Sequence, residues 1–249
     1  SELTVLQAAR SIGIDIPALC YDETLEIFGA CRMCIVEIEG SNKLQTSCST
    51  LVKNGMIVHT ETDRIKSTRK DIVQMLLDSH PNDCLTCQKS GECLLQDYAY
   101  RYDANFRNHH GAMRPQLMNT SSTYILRDNS KCILCGRCVN VCKDVQKIGI
   151  LDFTNRGIKT EVGTAFNTSL GDTPCIYCGQ CIVACPVGAL TEKQEIDKVW
   201  QAIEDPSIHV VVQTAPAVRV ALGEAFGMEP GTVVTGKMVA ALRRMGFDR

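Results

Sequence analysis

The chain has 249 residues, a formal charge of −2 and only 5% aromatic residues, and it contains no apolar run long enough to span a bilayer. That balance carries no nucleic-acid or membrane signature and leaves other proteins as the expected partners. Fifteen cysteines are present; the odd count and the crowding of three thiols within C-x2-C-x2-C argue against a secreted disulfide scaffold, so reduced thiols and a cytoplasmic setting are expected.

Every cysteine falls into a metal-ligand spacing, and the sets divide the chain into units small enough for metal ligation to substitute for a large core. In the first unit, residues 1–62, Thr4 and Gln7 form a capping box, Leu6 and Ala9 face inward, and Gly13 stops the helix. Pro17 sets an extended approach to Cys20. Cys34, Val36 and Ile38 alternate with Ile35, Glu37 and Glu39 in a strand that ends at Gly40, and 44–48 and 56–60 read as further strands. Cys20, Cys31, Cys34 and Cys48 are the ligand set. A zinc site is the competing reading, but zinc favours paired C-x2-C knuckles and here Cys20 and Cys48 stand alone. Gly29 and Ala30 suit a loop folded closely over inorganic sulfide. The set resembles the 2Fe–2S module of the large iron–sulfur subunit of respiratory NADH dehydrogenase, and it departs from the plant-type C-x4-C-x2-C spacing. The resemblance implies a β-grasp ferredoxin fold around one 2Fe–2S cluster. Modules of that kind open with a β-hairpin ahead of the helix, and residues 1–62 contain none.

In the second unit, 63–118, a helix is expected from Thr62 or Asp63 to Ser79, with Ile65, Ile72, Met75 and Leu76 on its inner face. His80, Cys84, Cys87 and Cys93 follow as H-x3-C-x2-C-x5-C. A histidine beside Pro81 would ordinarily be a cap, yet a cubane cluster needs four protein ligands and no cysteine is spare. The string resembles the His-plus-three-Cys 4Fe–4S motif of the same dehydrogenase subunit and of iron-only hydrogenases, which implies a small helical domain. His109 and His110 fit no ligand spacing and read as solvated loop residues. Tyr98, Tyr100 and Tyr102 read as packing residues.

The third unit, 119–195, opens with a short strand at 123–126 and carries two C-x2-C-x2-C-x3-C runs. They are Cys132, Cys135, Cys138, Cys142 and Cys175, Cys178, Cys181, Cys185, the latter followed by Pro186. In two-cluster ferredoxins the fourth cysteine of each run serves the other cluster. Cys132, Cys135, Cys138 and Cys185 are therefore expected around one 4Fe–4S cluster, and Cys175, Cys178, Cys181 and Cys142 around a second. Gly136 and Gly179 occupy equivalent places, where a side chain is expected to crowd the cluster. Lys143 replaces the proline that usually follows the first run.

The tail, 196–249, has no cysteine. Residues 196–204 and 217–226 read as helices and 209–213 as a buried strand. The stretch from Gly231 to Lys237 imitates a phosphate loop, but Met238 stands where Ser or Thr is needed, so Thr235 reads instead as the cap of a helix carrying Val239, Leu242 and Met245. Thr214-Ala-Pro-Ala-Val-Arg219, Gly223-Glu224, Phe226-Gly227 and Thr235-Gly236-Lys237 resemble the opening of the α/β catalytic domain of FeFe-hydrogenases. Taken together, the four units resemble the hydrogenase subunit of NAD-linked, electron-bifurcating complexes. The family's T-S-C-C-P, M-P-C and C-x3-C contexts for its hydrogen-activating cluster are absent from these residues. The resemblance implies an α+β, multidomain electron relay with one 2Fe–2S and three 4Fe–4S clusters and no catalytic residue of its own. It also implies a partner iron–sulfur subunit binding FMN and NAD(H), a small 2Fe–2S subunit, and ferredoxin as a carrier. A relay subunit of an NADH-linked transhydrogenase or dehydrogenase is the alternative.

Overall fold

The computed structural model describes residues 3–105, 109, 111 and 118–249, which fall into two compact units, Ser1–Lys193 and Gln194–Arg249. Helix α1 (Val5–Ser11) starts at the capping box: the Thr4 hydroxyl accepts from the Gln7 N–H, and the Gln7 side chain accepts from the Thr4 N–H. Leu6 and Ala9 are buried, and Gly13 closes the helix at φ +80°. Strand β1 (Ile35–Ile38) is the centre of an antiparallel sheet between β2 (Gln45–Thr46) and β3 (Val58–His59). Both flanking strands are shorter than the sequence pattern suggests. Ile35 is buried although the alternation puts it outside, because the next helix covers the back of β1.

That helix, α2 (Asp63–Asp78), is capped by the Thr62 hydroxyl. Its inner face is rotated from the expected one. Ile65, Arg69, Val73 and Leu77, one per turn, are buried, whereas Met75 is 62% exposed. The cause is Arg69, which has no exposed surface and donates to the Met33 and Ile35 carbonyls, to the Tyr102 hydroxyl and to Glu61. Helix α3 (Leu94–Arg101) packs against α2. Tyr102 is buried at its end, and the Tyr98 hydroxyl accepts from the Ala18 N–H; Tyr100 is exposed and packs little. His109 is exposed as expected, with Nδ1 2.7 Å from Asp78, and His110 lies outside the described residues.

A second antiparallel sheet runs β4 (Met118–Asn119), β5 (Ile125–Asp128), β8 (Leu190–Glu192). Its central strand starts two residues later than the sequence pattern suggests, and its outer strand follows the second cysteine run, so the sheet ties the two ends of the repeat together. Between them, α4 (Arg137–Asn140) continues into a π-helical turn at Val141–Val145 and packs on α5 (Gln180–Ala184). A hairpin of β6 (Asp152–Thr154) and β7 (Glu161–Gly163) fills the gap between the runs.

The unit Gln194–Arg249 contains α6 (Ile196–Glu204), α7 (Val218–Ala225) and α8 (Thr235–Met245), with no strand among the described residues. The buried strand expected at 209–213 is instead a mostly exposed extended segment. Among the described residues its backbone pairs with 248–249: Val210 O accepts from the Asp248 N–H and Val212 N–H donates to Arg249 O. Val234, not Thr235, caps α8, and the buried side chain is Met238, while Val239 and Met245 are more exposed than the pattern suggested. Among the described residues no helix is long and apolar enough to cross a membrane.

Candidate metal centres

The first unit's four cysteines come from separate pieces of backbone. Cys20 follows the extended segment after Pro17, Cys31 and Cys34 flank a turn in which Arg32 takes φ +60°, and Cys48 follows β2. Cys20, Cys34 and Cys48 are buried. The thiols associate in pairs. Cys31 beside Cys20 pulls the Cys20 pKa down to about 6, and Cys48 beside Cys34 does the same for Cys34; Cys31 and Cys48 are pushed up in return. The Leu19 N–H points at Cys31 Sγ from 3.4 Å. Two thiol pairs with backbone N–H groups turned toward them suit two irons, each holding a pair. Four thiolates on a single zinc would lie about 3.8 Å apart, given Zn–S near 2.3 Å. Among the described residues no three His, Cys, Asp or Glu side chains converge on a single-ion site.

The third unit encloses two cavities. One is bordered by Cys132, Cys135, Cys138 and Cys185, the other by Cys142, Cys175, Cys178 and Cys181. The helices bring about this exchange. The π-helical turn after α4 carries Cys142 over to the second cavity, and Cys185, at the end of α5, reaches the first. The repeat extends to backbone conformation: Leu134 and Gly136 in the first run take left-handed φ, and so do Tyr177 and Gly179 in the second. The requirement at Gly136 and Gly179 is therefore visible in the backbone, which caps α4 and α5 at φ +79° and +72°. A Cβ at Gly179 would meet no protein atom within 4 Å, so crowding by the protein is not its reason; at Gly136 it would meet the Phe28 ring at 3.0 Å. Burial pushes Cys135 and Cys181 up to about 12 and Cys138 well above an ordinary thiol. Such thiols ionise together only around strong positive charge, which iron supplies.

The second unit forms a cavity bordered by His80, Cys84 and Cys93. Cys87 does not border it. Its thiol sits in the same loop against Gly188, where a Cβ would come within 2.6 Å of Sγ. His80 is buried, and burial lowers its pKa, keeping the imidazole neutral. Its Nε2 is buried without a hydrogen-bond partner, as an atom reserved for a metal would be. The Asn82 N–H approaches Nδ1 at a long 3.3 Å; were His80 to hold iron through Nε2, the ring proton would sit on Nδ1 and that contact would be given up.

Two junctions invisible in the motifs bring these sites together. Asp22 pairs with Arg137, and Phe28 stacks on Phe153 at 5.7 Å, so the loop between Cys20 and Cys31 lies on the first cysteine run. On the other side Lys131 pairs with Asp83 at 2.9 Å, and the Leu94 N–H donates to Pro186 O. The motifs also pass over Arg127, which follows the strand expected at 123–126 and which the fold buries.

Four family models match consecutive parts of the chain. They are a 2Fe-2S iron-sulfur cluster binding domain (residues 2–63), the NADH-ubiquinone oxidoreductase-G iron-sulfur binding region (69–107), a 4Fe-4S dicluster domain (131–189) and the C-terminal domain of the iron only hydrogenase large subunit (208–249). The chain is 47% identical to the NADP-reducing hydrogenase subunit HndD of Solidesulfovibrio fructosivorans over 98% of its own length. It is 38% identical to iron hydrogenase 1 of Clostridium pasteurianum over 100% of its length. It spans 43% of each of these two relatives. A crystal structure of NAD+-reducing [NiFe]-hydrogenase in the H2-reduced state superposes with a TM-score of 0.72 at 31% identity, covering 78% of this chain and 82% of that one.

Proposed function

Since the chain belongs to the iron–sulfur family shared by hydrogenase subunits and the large iron–sulfur subunit of NADH dehydrogenases, we propose that it is the electron-transfer arm of an FeFe-hydrogenase-type subunit. Its proposed modules are a β-grasp 2Fe–2S domain (1–62), a 4Fe–4S domain with one histidine and three cysteine ligands (63–118), a two-cluster 4Fe–4S domain (119–195) and the start of a hydrogenase-like domain (196–249). The clusters supply one-electron redox chemistry. The protein's part is to ligate them, keep water from them and hold them close.

The observation that carries the reading is the exchange of fourth cysteines, which puts four thiols around each of two adjoining cavities. The junctions support a branched route. The loop of the Cys20–Cys48 site abuts the Cys132–Cys138 run, and the His80 site abuts Lys131 and the Cys185–Gly188 loop, so electrons from either would converge there before moving to the Cys142, Cys175, Cys178, Cys181 site. The match of residues 208–249 favours the hydrogenase over a transhydrogenase or dehydrogenase relay. Partner subunits carrying flavin, NAD(P)(H) and a further 2Fe–2S centre, with ferredoxin as carrier, complete the proposal.

Anaerobic iron and sulfide analysis combined with EPR tests it. Four clusters amount to about 14 irons per chain. Cys185→Ala should damage the cluster of Cys132, Cys135 and Cys138, and Cys142→Ala the other, each with loss of up to about four irons. Zinc in place of iron, or a Cys185→Ala protein that retains both ferredoxin-type signals, would refute the assignment.

A further inference from the structure

The relay as described gives no part to Arg127, the buried cation of the third module. The residue lies in the middle of β5, registered with Leu190 of β8 on one side and Asn119 of β4 on the other. It is 8% exposed, and its Nε and Nη1 are buried with no hydrogen-bond partner. Arg127 and Leu190 are the two residues that border both four-thiol cavities, so together they form the wall between them.

A guanidinium in such a place is strongly disfavoured unless an anion or acceptor faces it. Glu161 is near, but its carboxylate accepts from the side chains of Asn129 at 2.8 Å and Asn155 at 3.3 Å. Burial presses the Arg127 pKa down, and Glu161 and the thiols of Cys138 and Cys132 oppose it. An arginine stays protonated even so. The residue that carries these unpartnered N–H groups thus borders two cavities that each present four cysteine sulfurs.

We propose that Arg127 is a fixed cation shared by the two four-thiol sites, raising both reduction potentials together. The inference rests on the proposed function, in which both cavities hold 4Fe–4S clusters. Each electron added makes a site more negative, so a cation in the dividing wall favours the reduced form on either side. In surroundings closed to water by Leu190 its effect is screened little by salt. Because one charge borders both sites, its removal moves both potentials in the same direction. Arg127 is a tuning residue and takes no electron itself.

The test is a redox titration of the anaerobically isolated full chain, followed by EPR, on wild type, Arg127→Met and Arg127→Lys. Arg127→Met should lower the midpoints of both ferredoxin-type clusters at least tenfold in the reduction equilibrium, about 59 mV, and leave the 2Fe–2S midpoint in place. Arg127→Lys, which keeps the charge, should stay within that margin of wild type. If Arg127→Met fails to retain iron, the lysine variant decides alone: full cluster content with both midpoints lowered more than tenfold would overturn the assignment. So would an iron-replete Arg127→Met protein with unmoved midpoints. Wild-type protein without two cubane signals would instead overturn the cofactor reading on which the inference stands.

Discussion

Replacing Arg69 with methionine isolates the strongest polar tie between the first and second modules. The guanidinium is wholly buried and donates to Met33 O at 3.1 Å, Ile35 O at 2.9 Å, Tyr102 Oη at 3.2 Å and Glu61 Oε1 at 2.7 Å. Methionine restores much of the volume, so the cost is mainly polar. Each buried carbonyl that loses its donor costs about 1–3 kcal/mol. Glu61 is 40% exposed and recovers water, so it adds little. The total, about 3–5 kcal/mol, matches the usual cost of breaking a buried charge interaction. It is a large share of a domain's net stability of roughly 5–15 kcal/mol. Met33 and Ile35 flank Cys34, so the loss falls on the strand that holds the first metal site. Native-state hydrogen exchange reads it without stripping the metal: β1 amides should exchange about a hundred- to several-thousandfold faster. Arg101→Met is the control, since that side chain is 35% exposed and its ion pairs with Asp15 and Glu61 should be worth under about 1 kcal/mol. Less than tenfold acceleration in Arg69→Met, or equal acceleration in both variants, would refute the reasoning.

His80→Cys should retain its cluster and lower that cluster's potential by more than about 59 mV, because a thiolate adds negative charge where a neutral imidazole stood; unchanged midpoints in EPR-monitored titration, with iron content intact, would show that His80 is not a ligand. Gly179→Ala should cost roughly 1–2 kcal/mol from its left-handed backbone alone. Gly136→Ala should cost more, because its methyl group also meets the Phe28 ring at 3.0 Å. Thermal melts of the two variants compare them, and equal losses would count against the Phe28 contact.

Sequence alone determined what depends on short spacing. The Thr4–Gln7 cap, the stop at Gly13, the Thr62 cap and the strand after Cys34 follow from local hydrogen bonding and backbone preference, and all appear where the residues put them. The cysteine runs likewise announced metal ligation, because three thiols two residues apart have few other uses. Properties that depend on what packs opposite were decided by tertiary structure. The face of α2 turned toward Arg69 because distant carbonyls at Met33 and Ile35 offered it acceptors. Residues 209–213 read as a buried strand, and among the described residues they form an extended segment paired with 248–249. The β6–β7 hairpin, the Phe28–Phe153 stack and the Asp22–Arg137 pair join residues more than a hundred positions apart or fill a gap without motif. Arg127 shows the division most clearly. In sequence it lies just past the strand expected at 123–126, and only the closure of β5 against β8 makes it a cation between two rings of thiols.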